Sequence, residues 1–202
     1  MHIAEGVLSA PVLAAGAAGA AVGSAYGLKK LDEEDIPKTA IVSAALFVAS
    51  LLHLPLGPTS VHLILNGFGG VILGWKIFPV FLLVLFLQAV LFQFGGLTVI
   101  GVNTILTALP GFLAFLLFRI TAGSRAKEGK KIIIAGFGAG FIAVLGSALL
   151  LMSALIITEG SFRELAIVIS LSYIPLALLE GSLTAVIISF LLKNKPEILR
   201  IN

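Results

Sequence analysis

The stretch from Lys131 to Thr158 reads KIIIAGFGAGFIAVLGSALLLMSALIIT, with one charge at its head and none after it. A helix that crosses a bilayer needs about 20 mostly apolar residues, and this run exceeds that. It has neither the polar face of a surface helix nor the alternation of a half-buried strand, so water is not its solvent on any side. Working outward from it, six further apolar segments lie at roughly Pro11 to Leu28, Lys38 to Leu54, Thr59 to Gly74, Trp75 to Gln93, Asn103 to Ile120 and Glu164 to Leu192. The third is short and rich in glycine, which predicts a span that is tilted, broken or partly sheltered by its neighbours. Pro11, Pro37 and Pro79 stand near segment starts, where a missing N–H does least harm. Pro175 lies inside the last segment and predicts a kink there.

The composition agrees. Of 202 residues, 59% are hydrophobic and 11% charged, with a mean hydropathy of +1.15. Soluble domains carry about 25% charged residues, so this chain lacks the polar side chains to coat a globule. That argues against a soluble enzyme, a disordered chain and a nucleic-acid binder. The net charge of +3 comes from few, dispersed basic residues and does not point to nucleic acid. With no cysteine there is no disulfide framework, thiolate metal site or thiol nucleophile. The expectation is an all-α polytopic membrane protein of about seven transmembrane helices, with residues 1–202 as a single transmembrane domain.

Orientation follows from the basic residues. With seven spans and the N-terminus outside, Lys29, Lys30, Lys38, Lys76, Arg119, Arg125, Lys127, Lys130, Lys131, Lys193, Lys195 and Arg200 fall on the cytoplasmic side. Only Arg163 of the 13 basic residues is left outside. Such a split is a strong positive-inside signal and predicts an outer N-terminus and a cytoplasmic C-terminus. The first segment lacks the basic n-region of a secretory signal, so the expected mature chain begins at Met1, protected by the bulky His2. Gly19, Gly23 and Gly27, Gly70 and Gly74, and Gly136 and Gly140 repeat every four residues, a spacing that lets helices pack closely in lipid.

The chemistry lies with three histidines. His2 follows the terminal amine, so the amine, the next backbone nitrogen and the imidazole Nδ1 form fused five- and six-membered chelate rings. Three nitrogens fixed in a plane suit Ni2+ or Cu2+ better than Zn2+, which prefers a tetrahedron. The plainer reading of His2 is an unstructured terminal residue. His62 lies in Gly57-Pro58-Thr59-Ser60-Val61-His62, at the outer end of the third segment, with Asn66 four residues on and thus on the same helical face. An ionisable residue at that depth is a functional candidate, here for a fourth nitrogen; its plainer reading is a neutral imidazole bonded to a carbonyl. His53, in Leu52-His53-Leu54-Pro55, is a ligand, a supporting group or an interfacial histidine, the latter two being favoured.

The opening Met1-His2-Ile3-Ala4-Glu5-Gly6-Val7-Leu8-Ser9 resembles the start of the CbiM/NikM family, the substrate-binding S-components of nickel and cobalt energy-coupling factor (ECF) transporters. The resemblance extends through Gly57-Pro58-Thr59-Ser60-Val61-His62 with Leu65-Asn66-Gly67, and Phe92-Gln93-Phe94-Gly95-Gly96-Leu97-Thr98 with Gly101-Val102-Asn103-Thr104. It ends in Ile174-Pro175 with Glu180-Gly181. The wording of the N-terminal motif is closer to the nickel branch. The resemblance implies a metal site made by Met1, His2 and His62, with Ni2+ or Co2+ as transported substrate. It also implies an N-terminal segment dipping into a six-helix S-component core. Its implied partners are a membrane scaffold subunit, two ABC-type ATPase subunits and a small accessory membrane subunit, in the cell membrane of a prokaryote. Some family members carry His where this chain has Phe94 and Tyr173, so neither position can hold metal here.

Other polar groups fall on this frame. Gln93, Thr98 and Asn103 flank an uncharged outer loop, Gly95 to Gly101, which either closes over the site or is an ordinary tight loop. Ser60 and Asn66 are candidates to orient His62. Glu5 reads as a structural carboxylate, since four nitrogens complete a plane. Glu180, an isolated acid within the last segment, either fixes a helix contact or helps to dock the scaffold. The run Asp32-Glu33-Glu34-Asp35 reads as a solvated loop or an ATPase contact. Enzyme readings fail for want of a P-loop, a His-Glu-x-x-His helix or a third partner for Ser60 and His62. The rivals are a self-sufficient secondary carrier or channel for divalent cations and a vitamin-binding S-component, the latter disfavoured by one Trp and two Tyr.

Overall fold

The computed structural model describes residues 3–56, 59–122 and 129–199, with the backbone alone for 53–56 and 59–61. Among the described residues seven α-helices follow one another: α1 (Ala10–Lys29), α2 (Ile36–Ser50), α3 (Asn66–Leu73), α4 (Ile77–Phe92), α5 (Ile100–Ala122), α6 (Gly129–Thr158) and α7 (Arg163–Asn194). Between α2 and α3 a two-stranded hairpin intervenes, β1 (His53–Leu56) against β2 (Thr59–His62). Five helical stretches among the described residues are long and apolar enough to cross a membrane: Ala10–Lys29, Asn66–Phe92, Ile100–Ala122, Gly129–Thr158 and Gly160–Asn194. Their outer surfaces keep large apolar side chains exposed, Ile120 at 74%, Ile157 at 72% and Val186 at 66% among them. In water that girdle would be an aggregation surface; in a bilayer it is the solvated face.

The third segment is where the expectation needs correcting. Thr59 to His62 is a strand, not the first turn of a spanning helix, and α3 has eight residues, too few to cross a membrane. Leu54 precedes Pro55 and is driven from helical geometry, while β-branched Thr59 and Val61 fit a strand. His62 and Asn66 therefore share no helical face. Likewise α2 stops at Ser50, before the expected Leu54, and its 15 residues fall short of a full span.

Every residue of α3 is buried. Two backbone approaches explain how a helix can sit inside the others. A Cβ on Gly70 would fall on the carbonyl of Gly111 in α5. One on Gly67 would meet Ala139 and Gly140 of α6. The glycine spacing seen in sequence works the same way along α1, where Gly23 receives the Phe78 ring and Gly27 the Trp75 carbonyl and Pro79. α7 runs through Pro175 as one helix from Arg163 to Asn194.

The two ends of the bundle differ in character. At one, Lys76 and Lys38 pair with Asp35, whose side chain is 4% exposed. Asp32, Glu33 and Glu34 stay exposed, so the acidic run divides into three solvated residues and one buried ion-pair partner. Burial pushes the Asp35 carboxyl up, but Lys76 and then Lys38 more than offset it, holding it at about 2. Trp75 adds an aromatic cluster there, 4.0 Å from the Phe112 ring centroid and 4.7 Å from that of Tyr26. The other end holds the start of the chain.

Candidate metal site

Ile3 opens the described chain and is 5% exposed. Its N–H donates to Asn103 Oδ1 at 3.0 Å, and Asn103 Nδ2 donates back to the Ile3 carbonyl at 3.1 Å. A side-chain amide carries one donor and one acceptor in the geometry of a peptide, so a single Asn closes both bonds. Asn103 is itself 2% exposed, so no water competes for these groups. The clamp fixes the peptide that follows His2. Met1 and His2, the first two expected ligands, lie outside the described residues.

Three further bonds tie the same segment down. Glu5 accepts from the Thr98 backbone N–H at 2.9 Å and from its hydroxyl at 3.1 Å. Those bonds, the backbone one first, hold the Glu5 carboxyl below its usual value against a weak opposing effect of burial. Ser9 N–H donates to Thr158 Oγ1 at 3.2 Å, at the end of α6. Gly96 has φ +137°, and a Cβ there would collide with the Glu5 side chain, so glycine suits both the backbone and the contact. The loop that begins at Gly95 therefore lies against the N-terminal segment. It is shorter than expected, because Gly101 already belongs to α5 and packs on Ala17 of α1.

His62 ends β2 and is 9% exposed. Its Nδ1 lies 2.8 Å from the Leu63 carbonyl. A carbonyl only accepts, so Nδ1 carries the proton and Nε2 the lone pair, the form in which an imidazole binds a metal. The carbonyl bond named as the plainer reading is thus present, and it sets the tautomer that a ligand requires. The hairpin register puts His53 opposite His62, and Ser60 opposite Pro55.

α5 brings the two halves together. Within one turn of Asn103, the Thr107 carbonyl accepts from Asn66 Nδ2 at 3.1 Å. The same Nδ2 donates to Ser147 Oγ at 2.9 Å and lies 3.4 Å from the Ala143 carbonyl. Asn66 therefore joins α3 to α5 and α6, and its amide nitrogen is occupied away from His62. Gln93 is exposed and closes α4 in a left-handed C-cap at φ 57°.

Glu180 is fully buried. Its two oxygens accept from the backbone N–H groups of Ile64 and Leu65, the latter at 2.9 Å. A direct subunit contact is corrected, because the side chain has no exposed surface and its two bonds go to the segment ahead of α3. Nothing in the sequence pairs Glu180 with residues some 115 positions earlier; the one signal was an acid alone in an apolar segment. Leu65, left-handed at φ 50°, was likewise unsignalled.

Comparison with known proteins decides the family. Residues 2–198 match the model for CbiM, the cobalt uptake substrate-specific transmembrane region. The chain belongs to the CbiM family. Among its relatives is a Haemophilus influenzae protein, provisionally named as a metal transport protein, 42% identical over 98% of this chain and 97% of that one. Cobalt transport protein CbiM 1 of Pelobacter propionicus is 32% identical, covering 100% of this chain and 96% of the relative. A crystal structure described as a truncated transition metal transporter superposes with a TM-score of 0.72 at 25% identity, over 98% of this chain and 99% of that one. This CbiM-family chain is therefore a multi-pass membrane component of metal transport and not an enzyme.

Proposed function

We propose that the chain is the substrate-binding component of an ATP-driven ECF transporter, a single domain that takes Ni2+ or Co2+ from the extracytoplasmic face. The Asn103–Ile3 clamp carries this reading. The clamp satisfies the Ile3 N–H and carbonyl with one buried amide and so holds the chain start in one orientation. It is a rational way to aim the nitrogens of Met1 and His2. In this reading the Met1 amine, the His2 amide, His2 Nδ1 and His62 Nε2 form a four-nitrogen plane. That geometry favours Ni2+ over Co2+, whereas the family model and the Pelobacter propionicus relative are named for cobalt. The deprotonated ligands make affinity rise with pH.

Binding orders the N-terminal segment beneath the outer loop. A scaffold subunit and two ATPase subunits, with a small accessory membrane subunit, then reorient the loaded chain and release the ion to the cytoplasm. The test is calorimetry with Ni2+ and with Co2+ on the detergent-purified chain with its native N-terminus. It is repeated after inserting one Ser between Met1 and His2, and again with His62→Ala. Each change should weaken binding by about two orders of magnitude or more, on the order of 3 kcal/mol. Undiminished binding with the inserted Ser would remove the chain-end chelate and raise the self-sufficient carrier in its place.

A further inference from the structure

We infer that Glu180 of α7 is a positioning residue for the His62 imidazole, acting through the Leu63–Ile64 peptide group. The inference rests on the reading of His62 as a metal ligand. The carbonyl of that peptide belongs to Leu63 and accepts from His62 Nδ1 at 2.8 Å. Its N–H belongs to Ile64 and donates to Glu180 Oε1. One planar, rigid unit is therefore gripped at both ends, and fixing the N–H fixes the direction of the carbonyl. The other carboxylate oxygen takes the next N–H, that of Leu65, at 2.9 Å.

That second bond matters because Leu65 holds φ 50°. A left-handed non-glycine residue is sterically strained and persists only where its surroundings dictate it. Ile64 and Leu65 are 2% and 8% exposed, so water offers no substitute acceptor. Without Glu180 the segment 63–65 loses what keeps it in this shape, and the Leu63 carbonyl loses its aim. The carboxylate also polarises the peptide, strengthening the carbonyl as an acceptor and the imidazole as a donor to metal. α7 is held close enough to do this by Gly140 of α6, where a Cβ would meet the Glu180 carbonyl at 2.7 Å and Gly181 Cα at 2.9 Å.

The test variant is Glu180→Gln, whose amide keeps one acceptor oxygen and puts a donor where the second N–H arrives. Ni2+ affinity of the full chain should fall about 10–100-fold, as when a group supporting a ligand is removed. A purely structural role would lower the folded fraction and leave the coordination of the rest unchanged. Cu2+ therefore serves as a second probe, its paramagnetic resonance counting the bound nitrogens. Four are expected in the wild type and three in Glu180→Gln; four nitrogens with wild-type affinity in a folded variant overturn the inference. Nitrogen-15 histidine NMR of the metal-free wild type needs no variant to fold. His62 should be a single Nδ1–H tautomer, and a mixture overturns the inference outright. His62→Ala separates the two levels. Four nitrogens surviving in it would sink the ligand reading itself; three there with four in Glu180→Gln would sink only the role of Glu180.

Discussion

The two ends of this bundle are fastened by different physics. Where the chain starts, the fastenings are hydrogen bonds to backbone: Asn103 to Ile3, Thr98 to Glu5 and Thr158 to Ser9. At the opposite end they are charge and aromatic contacts: Asp35 with Lys76 and Lys38, Lys30 over the Tyr26 ring at 5.6 Å, and Trp75 among Phe78 and Phe112. Hydrogen bonds to backbone fix direction, which a planar set of ligand nitrogens needs. Ion pairs and an aromatic belt fix depth and orientation in a bilayer. If that division holds, damage to the charged end should show in stability, and damage to the chain-start end in metal affinity.

The largest effect should come from Asp35→Asn. It leaves Lys76, 7% exposed, without its buried carboxylate. Breaking one partner of a buried pair costs about 3–5 kcal/mol. For a chain of this length that lowers Tm by roughly 10 °C or more, measured by thermal denaturation in detergent at pH 7, while Ni2+ affinity of the folded protein stays unchanged. The pH dependence sharpens the same point. Asp35 is held at about 2 in the folded chain, below the roughly 3.9 of a free side chain. Its contribution is therefore complete above pH 4 and is lost as pH falls from about 4 toward 2. The wild type should lose Tm across that window and Asp35→Asn should lose less. Parallel curves would show that the pair adds nothing.

Next in size is Asn103→Ala, aimed at the other end. It leaves the N–H and carbonyl of Ile3 buried without partners, and releases the chain end from one orientation. Affinity falls by the fraction of time the end is correctly placed; a tenfold loss corresponds to about 1.4 kcal/mol. Calorimetry should show about that loss for Ni2+, with a smaller shift in Tm than Asp35→Asn gives. A reversed pattern, with a large loss of Tm and intact affinity, would break the division between the ends.

How the sequence read follows from the same contrast. Hydropathy and the one-sided basic residues are sums over many positions, so the helices and their apolar girdle were legible at once. The glycine spacing gave the close approaches because a missing Cβ acts locally. Thr59 to His62 was misread because a short apolar run suits a strand as well as a helix, and only the pairing with His53 to Leu56 decides it. Asn103 and Thr98 could be picked out as polar groups in an apolar field. Their partners could not, since Ile3 and Glu5 lie 100 and 93 positions away. Glu180 was visible as an anomaly and opaque as a function for the same reason. The strain at Leu65 has no residue-type signature at all.

Thr98→Val should have the smallest effect. It removes the hydroxyl bond to Glu5 but keeps the Thr98 backbone N–H, which is the stronger influence on that carboxyl. The site is exposed, so water replaces the lost donor. Tm should not move measurably, and Ni2+ affinity should drop by less than the tenfold set for Asn103→Ala. What ought to change is the rate at which metal leaves, because the Gly95 loop loses its hydroxyl bond to the N-terminal segment. Stopped-flow release into a chelator would show faster dissociation with nearly constant association. Unchanged release would mean that the loop only lies against the chain start and does not help to hold it.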